Sequence, residues 1–331
     1  MQKDFPQKAV HGGRILALRQ KYGSDLLEVS ASMNPFLPHV PCDFGAVDLC
    51  VYPDDAYTAL KEKIGRVFSR DPEEICVGNG SAELIRVYCS VVLSSKDTVR
   101  IDQPTFGEYG LSAQLAGAHI VSGIDADVRF MCNPNNPTGI LTPRNEMLSL
   151  LDDCKKKGGR LFVDEAFMEL AVRDESISDI RSDELFVMRS ITKCFSVPGI
   201  RFGFGFGPVD LIKKIETVRT PWTVNAFAEA FTMSALDHYD ELVISAEKIT
   251  KEREWYFARL TELGLSFAES SVNYILVHLG RNASEFTESM LKYGILVRDC
   301  ASFGLPDSIR ISVETRDKNL RVVEALSACL R

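Results

Sequence analysis

The sequence predicts an α/β fold in which helices cover a mostly parallel sheet, with a smaller α+β lobe near the C-terminus. The first observation is that short β-rich runs alternate with amphipathic stretches through the middle of the chain. The second is that several of these runs are apolar throughout, which is typical of strands buried on both faces. The third is the length of 331 residues, which at about 150 residues per domain predicts roughly two domains.

The individual elements follow from the same patterns. Strands are expected at residues 98–101, 119–122, 128–132, 160–163, 185–188 and 202–206. Amphipathic helices are expected between them at 81–93, 106–116, 143–157 and 208–218. A continuous helical pattern from 225 to about 263 predicts one long connecting helix. The segment after it has the patterns of strands at 272–278, 295–298 and 309–313 and of helices at 284–293 and 318–330.

No internal repeat or low-complexity linker divides the chain. Residues 1–50, rich in Pro and Gly, are expected to form an N-terminal arm that packs back onto the small domain and contributes to it. Residues 51–225 would form the large domain. Residues 226–331 would form the connecting helix and the C-terminal small domain.

Composition and charge exclude several classes of protein. With 45% hydrophobic and 25% charged residues, the chain is neither disordered nor a small disulfide scaffold. No apolar run approaches the roughly 18 residues that a membrane span needs. Residues 1–14 lack the apolar stretch of a secretory signal, so we expect a cytoplasmic location. The net charge of −8, without long runs of one sign, argues against nonspecific binding to nucleic acid.

Cysteine and histidine patterns give no metal site. Nine cysteines without a C-x-x-C pair indicate free thiols in a reducing compartment. Five histidines show no ligand spacing with one another or with cysteine. We therefore expect no bound metal.

Four segments have the residue types that chemistry requires, at strand ends or helix starts, where open α/β sheets bind ligands. Residues 77–83 (VGNGSAE) form a glycine turn before a helix, whose free N–H groups suit a phosphate, although such a turn is also an ordinary helix cap. Residues 132–139 (CNPNNPTG) follow an apolar strand and specify a rigid turn, which would fix a side-chain amide at the sheet edge.

The other two segments are charged. Residues 161–167 (LFVDEAF) are an apolar strand that ends in carboxylates, and a buried aspartate there requires a cationic or donor partner. Residues 190–203 (SITKCFSVPGIRFG) place a lysine among hydroxyls, with an arginine eight residues later. A desolvated lysine has a lowered pKa and can form a Schiff base. Taken singly, each segment also fits a turn, a capped helix, a solvated strand end or a surface lysine.

The joint order of these segments resembles the fold-type I pyridoxal 5′-phosphate (PLP) enzymes, the aspartate aminotransferase superfamily, over nearly the whole chain. The resemblance implies that Lys193 binds PLP covalently and that Asp164 pairs with its protonated pyridine nitrogen. Asn136 would contact the phenolic oxygen O3′ of the cofactor, and Phe106 would stack on its ring. Phe167 stands where most aminotransferases have a tyrosine that donates to the same oxygen.

The resemblance also implies how the cofactor phosphate is held. The expected contacts are Gly80, Ser81, Ala82, Ser190, Thr192 and Arg201. Tyr52 matches a tyrosine that reaches this phosphate from the partner subunit, which implies a homodimer.

Local features resemble the histidinol-phosphate aminotransferase branch and, within it, the L-threonine-O-3-phosphate decarboxylases of cobalamin biosynthesis. These features are HGG at 11–13, SASMNP at 30–35, VPG at 197–199, VRDC at 297–300 with Phe303, and Phe167. The implied reaction is PLP-dependent loss of CO2 from a small phosphorylated amino acid. The implied substrate-binding residues are His11, Gly12, Gly13, Asn34, Asn136, Arg298 and Arg310.

Two alternatives remain open on the sequence: a PLP aminotransferase acting on histidinol phosphate, and a PLP-binding module without turnover. The second is disfavoured because mere binding does not need the electron sink that the combination of Lys193, Asp164, Asn136 and Arg201 implies. Two departures from the family pattern also count. The segment between Gly123 and Asn133 is shorter than usual by roughly one helix, which would expose a sheet edge or alter a dimer contact. Arg14 stands where the decarboxylases usually have Asn.

Overall fold

The computed structural model describes residues 5–123 and 125–331. Its helices are α1 Ile15–Tyr22, α2 Thr58–Phe68, α3 Ser81–Val92, α4 Glu108–Leu115, α5 Arg144–Lys156, α6 Ile191–Cys194, α7 Val209–Val218, α8 Ala226–Ala235, α9 Leu242–Glu262, α10 Ala283–Lys292 and α11 Arg316–Leu330. Its strands are β1 Leu27–Glu28, β2 Ile75–Gly78, β3 Thr98–Ile101, β4 His119–Val121, β5 Val128–Cys132, β6 Arg160–Asp164, β7 Leu185–Arg189, β8 Gly203–Phe206, β9 Ser266–Phe267, β10 Tyr274–His278, β11 Ile295–Leu296, β12 Arg298–Asp299 and β13 Ser308–Ser312.

The predicted α/β class is confirmed by a seven-stranded sheet in the order β2-β8-β7-β6-β5-β3-β4. All neighbours are parallel except β8, which is antiparallel to both β2 and β7. The register pairs Asp164 at the end of β6 with Cys132 of β5 and Met188 of β7. Three strands therefore end at one edge of the sheet, and the segments that follow them lie side by side.

Helices cover both faces of this large sheet. Helices α3, α4 and α7 pack on one face, and α2, α5 and α8 contribute to the core on the other. Strand β6 shows why its sequence is apolar throughout: Leu161 and Val163 contact one core and Phe162 the other. A rigid, doubly covered strand thus supports the carboxylate at its end.

The far side of the large sheet is more polar. Within the described residues, strand β4 has β3 as its single strand neighbour, and Ile120 on β4 is 46% exposed. On β3 and β5, buried and partly exposed side chains alternate. Asp102 accepts hydrogen bonds from Arg100 (2.8 Å) and Arg129 (2.7 Å) on that partly exposed face. This alternation is typical of a sheet with one face open to solvent. It agrees with the short connection before β5, which lacks the helix that the family usually has there.

A second, four-stranded antiparallel sheet has the order β12-β13-β10-β9. The N-terminal arm joins this small sheet through β1, which pairs with β11, and through a hydrogen bond from Ser312 N to Val29 O (2.9 Å). The single strand expected at 295–298 is two short strands, since the chain changes neighbours at Val297, from β1 to β13.

The expectation of one continuous helix from 225 to 263 is wrong. Helix α8 ends at Ala235, a 3-10 turn follows at Leu236–His238, and α9 starts at Leu242. The interruption brings the hydroxyl of Tyr239 within hydrogen-bond distance of Glu169 (2.5 Å) and Arg189 (3.3 Å), whose side chains are 4% and 5% exposed. The hydrogen bonds of this polar cluster favour a break in the helix, and hydrophobic periodicity cannot predict such bonds between distant residues.

Neither a membrane span nor a metal site is found in the described part of the chain. Across residues 5–123 and 125–331, every helix is too short or too polar to cross a bilayer. The same residues contain no group of three or more His, Cys, Asp or Glu side chains arranged to hold a metal ion.

Candidate active site

A cavity of about 370 Å³ lies at the ends of β5, β6 and β7, between the large sheet, the small sheet and the N-terminal arm. Most of the residues singled out from the sequence line it, although they are spread over some 300 positions. They are His11, Gly12, Gly13, Ser81, Ala82, Phe106, Asn136, Asp164, Phe167, Ser190, Thr192, Lys193, Arg201, Arg298 and Arg310. Tertiary structure therefore gathers the four motifs and the two arginines at one place.

Lys193 lies on α6, a single helical turn directly after β7. Desolvation, together with the nearby charges of Arg310 and Arg201, lowers the pKa of its amine to about 8. Its Nζ lies 5.9 Å from the ring centroid of Phe167, and it makes no hydrogen bond to the described residues. An amine of this kind is partly neutral near physiological pH and can attack an aldehyde.

Asp164 lies in the floor of the cavity with both carboxylate oxygens engaged. Oδ2 accepts a hydrogen bond from the Tyr109 hydroxyl (2.7 Å), and Oδ1 accepts one from Ala166 N (2.9 Å). Burial raises the pKa of Asp164 to about 6, while these two donors and the charge of Lys193 act in the opposite direction. A cation brought to this carboxylate would keep it ionised.

Tyr109 was missed from the sequence. It lies on α4 among Phe106, Phe130 and Phe162, and its spacing is that of an ordinary core residue. Its burial is complete, so the hydroxyl needs a partner inside the protein, and Asp164 supplies it. The sequence offered one signal, which is that Tyr109 stands three residues after Phe106, the aromatic residue expected at the cofactor ring.

The N-terminus of α3 forms one end of the cavity. Its cap, Gly80, has φ of 80° and contributes no side chain to the free N–H groups of Ser81 and Ala82. A Cβ at Gly80 would overlap the Arg201 guanidinium, so glycine lets that side chain lie directly over the turn. Arg201 itself has φ of 63°, a left-handed conformation that costs a non-glycine residue energy and is found at functional sites.

Two hydroxyls face the same end of the cavity. Ser190 Oγ lies 3.4 Å and Thr192 Oγ1 3.5 Å from the carbonyl oxygen of Phe202, at the long limit of hydrogen bonding. Both remain available to a better acceptor. With Arg201 and the end of α3, they make an anion site of charged, hydroxyl and backbone donors.

Arg310 crosses the cavity from β13. Its guanidinium donates to Asn136 Oδ1 and to the carbonyl oxygen of Ser30 (2.9 Å), and it lies 4.9 Å from the ring centroid of Tyr274. Nε of Arg310 is buried without a partner in the described residues. A planar anion entering the cavity would meet a guanidinium fixed by stacking, with a donor still free.

Arg298 is the direct cross-strand neighbour of Arg310 in the β12–β13 pair. Its Nη2 donates to Val10 O and to Ser302 Oγ, each at 2.7 Å, and its guanidinium lies 5.2 Å from the ring centroid of Phe303. Two guanidinium groups therefore lie side by side on the small sheet, facing Lys193 and Asp164 across the cavity.

Phe167 closes the cavity without a hydroxyl. It packs edge-to-face on Tyr274 with ring centroids 4.9 Å apart. The hydroxyl of Tyr274 donates to the carbonyl oxygen of Asn135 (2.9 Å), so that phenol is already engaged.

Three of the sequence-predicted residues do not line the cavity. Gly80 lies just behind it, beneath Arg201. The amide of Asn34 donates to Cys194 O and accepts from Phe36 N, each at 2.8 Å, so it tethers the arm to the backbone beside Lys193. Tyr52 is 76% exposed and stacks on Trp222 with centroids 4.4 Å apart.

The donor set fits PLP. An amine of lowered pKa, a carboxylate buried opposite it, and a site of hydroxyl, backbone and guanidinium donors match the aldehyde, the pyridine nitrogen and the phosphate of that molecule. At the phosphate end, the Arg201 guanidinium lies directly over Gly80, where a Cβ would displace it.

A family model described as aminotransferase class I and II matches residues 48–127 and 123–326. The chain belongs to this family. Its cofactor is pyridoxal 5′-phosphate, as the resemblance implied.

Relatives within the family have different names. A protein of Caldanaerobacter subterraneus subsp. tengcongensis, provisionally named threonine-phosphate decarboxylase, is 35% identical over 96% of this chain and 92% of its own length. The histidinol-phosphate aminotransferase of Symbiobacterium thermophilum is 30% identical over 92% of this chain and 91% of its own length. The family is thus shown, whereas these relatives do not agree on a reaction.

Solved structures agree on the fold. The histidinol-phosphate aminotransferase of Sinorhizobium meliloti, solved with pyridoxal-5′-phosphate, has a TM-score of 0.86 at 21% identity and covers 96% of this chain and 94% of that chain. The predicted fold-type I architecture is therefore confirmed.

Proposed function

We propose that the protein decarboxylates L-threonine O-3-phosphate to (R)-1-amino-2-propanol O-2-phosphate, as a lyase of cobalamin biosynthesis in the cytoplasm. The observation that carries the proposal is the pairing of Arg298 with Arg310 on adjacent strands of one cavity. Such a pair suits a small substrate with two anionic groups, a carboxylate and a phosphate, because each guanidinium binds one of them with paired N–H donors.

In this reaction the bond between Cα and the carboxyl carbon breaks, CO2 leaves, and Cα takes up a proton. Bound PLP supplies an electron sink for the pair left at Cα. Asp164, held by Tyr109 and Ala166, would keep the pyridine nitrogen protonated. Lys193, whose amine has a pKa of about 8, would carry the proton to Cα.

The bond that breaks is selected by orientation. A bond is cleaved when it stands perpendicular to the cofactor ring, so the anion sites decide between loss of CO2 and loss of the Cα proton. Phosphate held on one side of the cavity would turn the carboxylate out of the ring plane. The proposal therefore assigns substrate orientation to Arg298, Arg310 and the N-terminal residues His11, Gly12 and Gly13.

Two further observations support decarboxylation: Phe167 matches the decarboxylase pattern, and a relative provisionally named threonine-phosphate decarboxylase is 35% identical.

A second candidate is a histidinol-phosphate aminotransferase, which the relative from Symbiobacterium thermophilum favours. That enzyme needs a keto acid for a second half-reaction and space for an imidazole.

A homodimer is part of the proposal. Tyr52 and Trp222 form an exposed aromatic pair at 76% and 46% exposure, and burial of this pair against a second copy would remove apolar surface from water. Tyr52 would then approach the partner's phosphate site. Light scattering should give a dimer that Tyr52→Arg together with Trp222→Arg dissociates, whereas a monomeric wild-type protein would contradict this part.

The experiment that tests the function compares two substrates on the PLP-loaded protein. The kcat/KM for CO2 release from L-threonine O-3-phosphate is expected to exceed the kcat/KM for transamination of histidinol phosphate with 2-oxoglutarate by about 100-fold or more. The reverse ranking would select the aminotransferase.

A further inference from the structure

Glu108 is a buried carboxylate in a cavity dominated by cations. It is the first residue of α4, is 4% exposed, and lines the cavity that Lys193, Arg298 and Arg310 also line. Asp164 is the other carboxylate among the described lining residues, and it has the pyridine nitrogen as its expected partner. Glu108 needs a separate explanation, because burying a carboxylate is costly unless its partners are fixed.

The partners of Glu108 come from two other parts of the chain. Oε1 lies 2.7 Å from Nε2 of His11, and Oε2 accepts a hydrogen bond from Nη2 of Arg86 (3.3 Å). The hydrogen bond from His11 is the main cause that holds the pKa of Glu108 below its usual value. Glu108 is thus an anion whose stronger contact is the imidazole.

This contact fixes one side of residues 10–13, which we call the arm segment. On the opposite side, Arg298 donates to the carbonyl oxygen of Val10 (2.7 Å). The next residue, Gly12, lies so close to the Ser30 carbonyl oxygen that a Cβ would come within 2.8 Å of it. Val10 and His11 therefore link β12 to α4 at the cavity, and Gly12 packs against backbone directly after them.

Donor groups remain on the arm segment for a ligand. Nδ1 of His11 has no hydrogen-bond partner in the described residues, and its ring packs at 5.5 Å from Phe106. Gly12 N has no backbone or side-chain acceptor there, and Gly13 N has only a long contact to Ser30 Oγ (3.3 Å). A carboxylate that holds an imidazole through Nε2 fixes the direction of Nδ1, which donates a hydrogen bond when the ring is an imidazolium.

We propose that Glu108 is a positioning residue that orients His11 and holds the arm segment as the phosphate-binding edge of the cavity, opposite Arg310. The inference rests on the proposed function for the identity of the substrate. Beyond the proposed function, it names Glu108 as the residue that positions the arm segment, and it assigns recognition of the substrate phosphate to that segment.

The test uses the PLP-loaded protein with Glu108→Gln, which keeps the shape of the side chain and removes its charge. The matched control is Glu314→Gln. Glu314 is likewise buried and bonded to a cation and a hydroxyl, Lys318 (3.2 Å) and Ser312 (3.3 Å), but it lies outside the cavity. Two quantities are measured: amide hydrogen exchange of residues 10–13 with and without inorganic phosphate, and the steady-state constants for L-threonine O-3-phosphate.

Inorganic phosphate is expected to slow exchange of the arm segment in the wild-type protein and in Glu314→Gln, but not in Glu108→Gln. The KM of Glu108→Gln is expected to rise about tenfold, as for the loss of one charge-assisted hydrogen bond, with kcat and PLP affinity within about twofold of wild type. In His11→Ala, the further change Glu108→Gln should leave KM unaltered, because Glu108 acts through His11.

Phosphate protection that persists in Glu108→Gln, or a fall in PLP affinity equal to the rise in KM, would overturn the inference. Failure of the proposed function looks different. If wild type does not release CO2 from the substrate but its arm segment is still protected by inorganic phosphate in a Glu108-dependent way, the assigned reaction is wrong and the role of Glu108 stands.

Discussion

The hydroxyl of Tyr109 donates a hydrogen bond to Oδ2 of Asp164 over 2.7 Å, and both residues are buried. Phe106, whose ring lines the cavity, lies one helical turn before Tyr109. Residues 106–109 therefore supply both a ring that lines the cavity and the donor to the Asp164 carboxylate. The hydrogen bond favours the ionised form of Asp164 against the desolvation that raises its pKa to about 6. The cofactor's pyridine nitrogen needs that ionised form.

The first prediction concerns Tyr109→Phe. Loss of one donor to a buried carboxylate is expected to weaken PLP binding about tenfold at pH 7.5, a quantity that fluorescence titration of the apo-protein measures. Tyr88→Phe is the matched control. It removes a buried hydroxyl from the same aromatic cluster, at a ring that packs 4.8 Å from Phe162, and leaves Asp164 untouched. Equal losses in the two variants would show that Tyr109 acts through packing.

The second prediction concerns the stability of apo Asp164→Asn. The folded-state pKa of about 6 lies above the unfolded value near 4, so the folded apo-protein holds this proton more tightly. Stability therefore falls as pH rises from about 4 to 6 and stays lower above that range. Asparagine does not ionise, so the variant avoids the free-energy cost of a buried charge at position 164. It should be more stable than wild type by on the order of 3 kcal/mol at pH 7.5, with the difference vanishing near pH 4. Denaturant unfolding at both values measures it, and a variant less stable at pH 7.5 would contradict the assignment.

The third prediction concerns Lys193. Its amine, with a pKa of about 8, is mostly neutral above that value and mostly charged below it. The rate at which the apo-protein captures PLP should rise through pH 8 and level off, as stopped-flow absorbance would record. A midpoint near 10 would indicate a solvated lysine. Borohydride treatment followed by peptide mapping should place the label on Lys193, and Lys193→Arg should carry none. A label on another lysine would refute the site.

The fourth prediction concerns Arg310→Lys. Lysine keeps the charge but loses the planar fork that stacks on Tyr274 and donates to both Asn136 and Ser30. We expect KM for the phosphorylated substrate to rise by about 10- to 100-fold, with PLP affinity nearly unchanged. Arg316→Lys is the control, since Arg316 pairs with Glu252 and stacks on Trp255 away from the cavity. Similar KM values for Arg310→Lys and wild type would remove Arg310 from substrate binding.

Much of the large sheet follows from local pattern. Strand β6 is apolar because it is covered on both faces, and Asp164 at its end stands out for the same reason. Parallel strands bring their ends to one edge, so motifs after β5, β6 and β7 had to meet there, which is why Asn136, Asp164 and Lys193 share a cavity.

Pairings between distant residues did not follow from pattern. Tyr109 and Asp164 are 55 positions apart, and His11 and Glu108 are 97 apart. Tyr109 and Glu108 look ordinary in their own segments, and only the fold brings them to Asp164 and His11. The break between α8 and α9 has the same origin, because Tyr239 leaves the helical path to reach Arg189 and Glu169. Helix α1 has no buried residue and hence little amphipathic signal.

The central claim is that the cavity directs PLP chemistry to loss of CO2. The most direct measurement is incubation of the PLP-loaded protein with excess L-threonine O-3-phosphate and no keto acid, following CO2 and aminopropanol phosphate together. The account predicts many turnovers per active site with an unchanged cofactor spectrum. Stoichiometric conversion of the cofactor to its pyridoxamine form, with turnover only after 2-oxoglutarate is added, would contradict it and make the protein an aminotransferase.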